Sequence, residues 1–134
     1  MNNKELIELA KKAREYSYSK ISEFKVGAAL LTKEGKVFMG CNIEDPSGIG
    51  VTNICAERCA IVKAISEGYI EFEKIAVVGG RDSCLEECLP CGVCRQYLNS
   101  ICPRIKIVSL DNETIKTYNP QDLLPYAFNE KFDS

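Results

Sequence analysis

The sequence predicts an α/β fold, a three-layer α/β/α sandwich around one mixed five-stranded sheet. Three observations predict it: segments whose apolar residues recur at helical spacing, five short apolar runs of β type, and an order that alternates the two kinds. The chain has 134 residues, which is the length of one ordinary domain, and neither repeats nor linker-like segments interrupt it. We therefore expect a single domain over 1–134.

The first third of the chain predicts a helix and a hairpin. Apolar residues from Leu6 to Ala13 recur at helical spacing behind Asn3, a plausible cap, so a helix is expected over about the first fifteen residues. The runs 24–32 and 37–42 are rich in β-forming residues and flank a short turn that contains glycine, which is typical of a hairpin. A loop is expected over 43–52.

The remaining elements alternate between helices and strands. A helix is expected over 53–67, with Thr52 or Asn53 as its cap and Gly68 as its stop. After it the pattern predicts, in order, a strand over 75–78, a loop over 79–90, a helix from 91 to about 101, strands over 105–110 and 114–118, and a short helix near 121–124.

Composition and charge exclude several classes of function. Hydrophobic residues make up 46% and charged residues 27% of the chain, without an apolar run long enough to span a membrane, so no membrane role is expected. The formal net charge of -2 does not provide the basic surface that binds a phosphate backbone, so nucleic acid is not an expected partner. The N-terminal residues lack the pattern of a secretory signal, which predicts a cytoplasmic protein.

The chain contains eight cysteines and no histidine. In a reducing compartment, cysteines at short spacings are metal ligands or small buried residues rather than disulfide partners. Because histidine is absent, any proton transfer has to be carried out by a carboxylate, lysine, tyrosine or thiol.

Two charged residues stand out in the helix predicted over 53–67. That helix is apolar on almost every side, yet Glu57 and Arg58 lie in its first turn. Burying two charges is costly unless they are paired or neutralised, so such groups are candidates for a functional site. An exposed helix end is the alternative interpretation.

Cys55, Cys91 and Cys94 have the spacing of a zinc site. Cys91 and Cys94 form a C-x-x-C pair at the start of one predicted helix, and Cys55 lies at the start of another. Helix N-termini favour thiolates, and three thiolates leave one position of a tetrahedral zinc ion open, as in catalytic sites. Three thiolates around Zn²⁺ carry about one net negative charge, which Arg58 is placed to offset.

Cys55 and Glu57 lie two positions apart and can share a site only beyond the helix end. Zinc deaminases combine an H-x-E or C-x-E segment with a later P-C-x-x-C segment, and this chain has C-A-E from Cys55 and P-C-G-V-C from Pro90. Further matching segments are 24–31, 40–44, 55–58, 63–68 and 123–128. At these residues the chain resembles the small cytidine deaminases over nearly its whole length.

The resemblance implies a cytidine deaminase-like fold and the hydrolysis of cytidine and deoxycytidine to uridine and deoxyuridine plus ammonia, in pyrimidine salvage. It implies one Zn²⁺ per subunit on Cys55, Cys91 and Cys94, with Glu57 as the proton carrier. The residues that it implies for substrate binding are Phe24, Asn42, Glu44, Ala56 and, from a neighbouring subunit of a homotetramer with shared active sites, Phe128.

Two segments depart from the family pattern. The loop 45–52 lacks the aromatic residue that is common there, and Lys20-Ile21-Ser22 replaces a Pro-Tyr-Ser segment. Neither change affects the zinc ligands or the proton carrier, so we expect altered affinity or substrate range rather than lost chemistry.

Several alternatives stay open at this stage. Four thiols within eleven residues, at Cys84, Cys88, Cys91 and Cys94, could form a structural zinc site or an iron-sulfur cluster. Cys59 could reach the same ion as Cys55. Without the resemblance, Phe24 and Phe128 would be core residues, and Asn42 and Glu44 a solvated edge. Another amino-heterocycle could also be the substrate.

Overall fold

The structure of the protein is a computed structural model and describes residues 1–128. Its helices are α1 (Asn3–Arg14), α2 (Ala56–Ser66), α3 (Gly92–Ile101) and α4 (Pro120–Leu123), and a 3-10 turn covers Gly50–Thr52. Its strands are β1 (Phe24–Thr32), β2 (Val37–Cys41), β3 (Phe72–Arg81), β4 (Lys106–Asp111) and β5 (Thr114–Tyr118). Among the helices of residues 1–128, none is long and apolar enough to cross a membrane.

The five strands form one mixed sheet in the order β2-β1-β3-β4-β5, which confirms the predicted fold class. β3 and β4 run parallel, and every other neighbouring pair is antiparallel. Helix α3 makes the crossover that parallel strands require. Phe24 lies opposite Arg81, and Gly27 lies opposite Cys41, so β1 begins at the edge of the sheet where β2 and β3 end.

Helices cover both faces of this sheet. Because side chains alternate along a strand, Leu31 and Val108 face α1 whereas Leu30 and Ile107 face α2 and α3. Each face has its own cluster of fully buried apolar side chains. Burying one large apolar side chain contributes about 1.5–3 kcal/mol to the free energy of folding. The two clusters therefore fix the helices against the sheet, and with them the positions of the helix ends.

The predicted boundaries were wrong at three points. Asn2, not Asn3, caps α1, and its side chain accepts a hydrogen bond of 2.8 Å from the amide of Glu5. Helix α2 begins after Cys55 because the backbone of Ile54 is extended and pairs with Ile43. β3 covers Phe72–Arg81 rather than 75–78, since it pairs along the whole length of β1.

Gly40 lies where α2 packs against β2. A Cβ atom added there would lie 2.6 Å from the backbone nitrogen of Ala60. The backbones of α2 and β2 would therefore have to move apart to make room for it. We expect Gly40→Ala to lower the free energy of unfolding by about 1–3 kcal/mol, which urea denaturation would measure.

Gly50→Ala is the matched control for Gly40→Ala. No atom of the described residues lies within 4 Å of the position of its Cβ, so a change within about 0.5 kcal/mol is expected. Equal unfolding midpoints for the two variants would contradict this account of the contact between α2 and β2.

Candidate active site

A pocket of about 250 Å³ opens at the sheet edge where β1 begins and β2 and β3 end. Its size suits a small organic molecule. Residues that the sequence singled out and that line it are Phe24, Asn42, Glu44, Cys55, Ala56, Glu57 and Cys91.

Cys55 and Cys91 line this pocket, and the sulfur of Cys94 lies close to theirs. The Sγ atoms of Cys55, Cys91 and Cys94 all lie within 4.8 Å of one another, and those of Cys55 and Cys91 are 3.5 Å apart. Tetrahedral zinc with Zn–S bonds of about 2.3 Å would place its sulfurs about 3.8 Å apart, so the three thiols fit one zinc ion. In residues 1–128 this is the single group of three or more cysteine or acidic side chains found close enough to hold a metal.

Two helix N-termini create this arrangement. Cys55 is the N-cap of α2 and Cys91 is the N-cap of α3, while Cys94 lies in the first turn of α3. Within the described residues, neither cap side chain bonds the helix that it begins, which leaves both sulfurs free for a metal. The partial positive charge at each helix start favours the thiolate form that zinc requires.

Arg58 adds positive charge to the thiol cluster. Its Nη2 atom lies 3.5 Å from the Sγ of Cys55 and 3.5 Å from the backbone oxygen of Asn53. Hydrogen bonds from Cys94 and Arg58 lower the pKa of Cys55 to about 5, and the bond with Cys55 raises the pKa of Cys94. Of these two thiols, Cys55 is therefore the more acidic.

Glu57 is buried, with 3% of its surface exposed, and it lines the pocket beside Cys55. Loss of solvent raises the pKa of its carboxyl group to about 7. A carboxyl group with such a pKa can accept and release a proton near neutral pH. Because Cys55 precedes the helix and Glu57 lies in its first turn, residues two positions apart share this site.

Asn42 joins the end of β2 to the start of β1. Its Nδ2 donates to the backbone oxygen of Phe24 at 2.8 Å, and its Oδ1 accepts from the backbone of Val26 at 2.9 Å and from the Ser17 hydroxyl at 2.5 Å. These bonds fix the amide orientation and leave one N–H of Nδ2 for a further acceptor.

Glu44 is held by the segment that departs from the family pattern. Its Oε1 atom accepts hydrogen bonds of 3.1 Å from the amides of both Ile21 and Ser22. Partial burial raises the pKa of this carboxyl group, but the bonds from Ser22 and Ile21 outweigh that effect and lower it overall. Both of these hydrogen bonds come from backbone amides, which residues 20–22 can donate whatever their side chains are.

The loop 45–52, which lacks the family aromatic residue, is closed by polar contacts instead. Asp45 accepts a hydrogen bond of 2.5 Å from the hydroxyl of Thr52, and its backbone amide donates to Asn53 at 2.6 Å. Asn53 also lines the pocket. The loop is therefore anchored next to the site without contributing an aromatic ring.

Phe128 lies outside the pocket of its own chain and is 62% exposed. The side chain of Gln96 bonds both backbone groups of Phe128: Oε1 accepts from the amide at 3.0 Å, and Nε2 donates to the carbonyl at 2.6 Å. Gln96, on α3 two residues after Cys94, was not predicted from the sequence, since nothing in the sequence marks it as a partner of Phe128.

Within the described residues, the four cysteines of the alternative cluster do not form one group, because only Cys91 and Cys94 lie together. Cys84 is exposed, and Cys88 lines the pocket but falls outside the group of three sulfurs, as does Cys59. All eight cysteines of the chain lie in the described part and are free of disulfides.

Comparisons with known proteins agree with this geometry. Residues 1–110 match the family described as the cytidine and deoxycytidylate deaminase zinc-binding region. A cytidine deaminase from Halalkalibacterium halodurans is 45% identical over 130 residues, which cover 96% of this chain and 95% of that protein. A cytidine deaminase from Sporosarcina psychrophila is 41% identical over 133 residues, which cover 98% of this chain and 94% of that protein.

A similar structure is also known. The crystal structure of cytidine deaminase from Burkholderia pseudomallei matches with a TM-score of 0.84 and 43% sequence identity. The match covers 96% of this chain and 100% of that chain.

Proposed function

Since the chain belongs to the zinc-dependent cytidine deaminase family and is a hydrolytic deaminase, we propose that it deaminates both free cytidine and free deoxycytidine in pyrimidine salvage. The observation that carries the proposal is the meeting of Cys55, Cys91, Cys94 and Glu57 at one pocket of small-molecule size. The reaction consumes water and the nucleoside, and releases ammonia and the matching uracil nucleoside.

We assign Cys55, Cys91 and Cys94 as the zinc ligands. Three protein ligands leave the fourth tetrahedral position open, whereas structural zinc sites use four. Zinc, when bound, supplies an acidified water as the nucleophile for C4 of the pyrimidine. Arg58, 3.5 Å from the sulfur of Cys55, offsets the negative charge of the thiolates.

We assign Glu57 as the proton carrier. Its carboxylate takes a proton from the attacking water and gives it to N3 of the pyrimidine, which makes C4 a better electrophile. It then moves the second proton of the water to the exocyclic nitrogen, so that ammonia leaves with the electrons of the broken C4–N bond. Its burial, and its pKa of about 7, support both roles.

The other end of the pocket is assigned to the sugar and the base. Asn42 has one N–H left for a hydroxyl, and Glu44 has a second carboxylate oxygen beside the Oε1 held by Ser22. We assign the ring of Phe24 to pack on the base and Ala56, at the first turn of α2, to contact it.

Glu44→Gln tests the assignment of the sugar end. The amide oxygen of glutamine can still accept the bonds from Ile21 and Ser22, but the charge that strengthens a bond from a sugar hydroxyl is lost. Hydrogen bonds to charged groups contribute about 1.5–3 kcal/mol, so we expect KM to rise roughly 10- to 100-fold with a smaller change in kcat. Steady-state kinetics with cytidine measure it.

Glu34→Gln, in the turn between β1 and β2, is the matched control for Glu44→Gln and should leave KM unchanged. An unchanged KM for Glu44→Gln as well would rule out Glu44 as a sugar ligand.

We further propose a cytoplasmic homotetramer in which Phe128 of one subunit reaches the pocket of another. The exposed ring of Phe128, whose backbone is bonded by Gln96, supports this arrangement. Nucleic acid is not a proposed partner, because the chain has a formal net charge of -2.

The test of the proposed function is ammonia release and ultraviolet absorbance change with cytidine and deoxycytidine, for the zinc-loaded protein. We expect turnover of both nucleosides, with one ammonia released per nucleoside consumed. Turnover of cytidine alone would overturn the proposal for deoxycytidine. If neither nucleoside were consumed, the assignment of this pocket to pyrimidine nucleosides would fail.

A further inference from the structure

Cys88 lines the pocket but has no part in the chemistry described above. It belongs to the segment between β3 and α3 and is half-buried. The pocket residues contributed by this segment are Cys88, Leu89 and the proposed zinc ligand Cys91. Cys88 therefore lines the same pocket as the proposed zinc ligand that follows it by three residues.

The position of Cys88 depends on a glycine. A Cβ atom added to Gly79 of β3 would lie 2.7 Å from the Sγ of Cys88 and 2.9 Å from Cε1 of Phe24. The thiol of Cys88 and the ring of Phe24 therefore both pack on β3 at Gly79. A residue larger than glycine at position 79 would displace one of them.

The backbone holds this arrangement from two sides. Gly79 accepts a hydrogen bond of 2.8 Å from the amide of Glu86, which turns the segment back over β3 before it reaches Cys88. On the other side of β3, Gly79 lies opposite Val26 of β1, two residues after Phe24. Burial also raises the pKa of Cys88 to about 12, so its side chain is a small uncharged thiol near neutral pH.

We propose that Cys88 and Gly79 determine specificity at the pyrimidine ring, with the thiol of Cys88 and the ring of Phe24 forming one wall of the base site. This inference rests on the proposed function of the pocket. C4 of the pyrimidine has two ring neighbours, N3 and C5. Glu57 is assigned to N3, and we assign the wall that contains Cys88 to C5.

Two variants test the proposal through substrate choice. Cys88→Ala removes the sulfur and makes room beside C5, and one methyl-sized group in such a pocket changes discrimination by about 10- to 200-fold. We expect the ratio of kcat/KM for 5-methylcytidine to that for cytidine to rise about tenfold in Cys88→Ala. Cys84→Ala, which removes an exposed thiol from the same segment, should leave this ratio unchanged.

Gly79→Ala tests the packing contact itself. Its new methyl group displaces the sulfur or the ring toward the pocket, so we expect KM for cytidine to rise at least about tenfold while the zinc content stays the same. In the Cys88→Ala background the same change should raise KM less, because the 2.7 Å contact is gone. The contacts with Phe24 and with the Cβ atom of residue 88, at 3.2 Å, remain, so recovery is expected to be partial.

The outcomes separate this inference from the proposed function. If wild-type protein consumes cytidine but the 5-methylcytidine ratio is the same in wild type and Cys88→Ala, the inference is overturned. Equal effects of Gly79→Ala in both backgrounds would overturn the packing argument. If Gly79→Ala does not fold, the ratio measured for Cys88→Ala alone decides. If wild-type protein does not consume cytidine, the proposed function is overturned, and this inference, which rests on it, fails as well.

Discussion

Replacing Glu57 by glutamine is expected to lower kcat for cytidine by about 10²–10⁴-fold while the protein keeps its zinc. Glutamine has nearly the same shape as glutamate but cannot carry a proton between water, N3 and the leaving amine. The metal should remain because its proposed ligands are the sulfurs of Cys55, Cys91 and Cys94, none of which Glu57 supplies. Kinetics and zinc analysis on the same sample measure both effects.

Glu67→Gln is the matched control for Glu57→Gln. Glu67 is the C-cap at the other end of α2, where it forms an exposed ion pair of 3.4 Å with Lys36. It should keep wild-type kcat and zinc content. Near-normal turnover of Glu57→Gln would contradict the assignment of Glu57, and loss of its zinc would show that the carboxylate supports the metal site instead.

Cys91→Ala is expected to lose both zinc and turnover. Removing one of three thiols leaves two ligands, too few to hold the ion in the arrangement that the pocket provides. Metal analysis after purification without added zinc, together with the ammonia assay, measures the loss. We expect less than about one tenth of the wild-type zinc content, because each ligand contributes strongly to zinc affinity when the site has only three protein ligands.

Cys84→Ala separates the two interpretations of the cysteine-rich segment. In the structure Cys84 is exposed and outside the group of three sulfurs, so this variant should keep its zinc and its turnover. Loss of zinc in Cys84→Ala but not in Cys55→Ala would indicate the alternative structural site. Full zinc loading of Cys91→Ala would contradict the ligand assignment directly.

The fold class could be predicted from the sequence because its signals are local. The periodicity of α1 and the turn between β1 and β2 lie within a few residues of the elements that they define. The full length of β3 could not be predicted, since its ends are set by pairing with β1, far away in the chain. The start of α2 was missed for the same reason, because Ile54 pairs with Ile43.

In the candidate site, too, local patterns could be predicted from the sequence, whereas contacts between distant segments could not. The spacing of Cys55, Cys91 and Cys94 was sufficient to propose a zinc site, because thiols at two helix starts are a specific pattern. The contact of Cys88 with Gly79 joins the segment before α3 to a strand, and only the three-dimensional structure gives its distances. Gln96 was missed because its partners are the backbone groups of Phe128, which have no sequence signature.

The central claim is that one zinc ion is bound by three thiolates with its fourth position left open by the protein. Zinc-edge X-ray absorption of the zinc-loaded wild type measures the ligands of the ion directly. We predict three sulfur neighbours at about 2.3 Å and one oxygen or nitrogen neighbour at about 2.0 Å. Four sulfur neighbours would contradict the claim, because a closed tetrahedron leaves no place for the water that the reaction consumes.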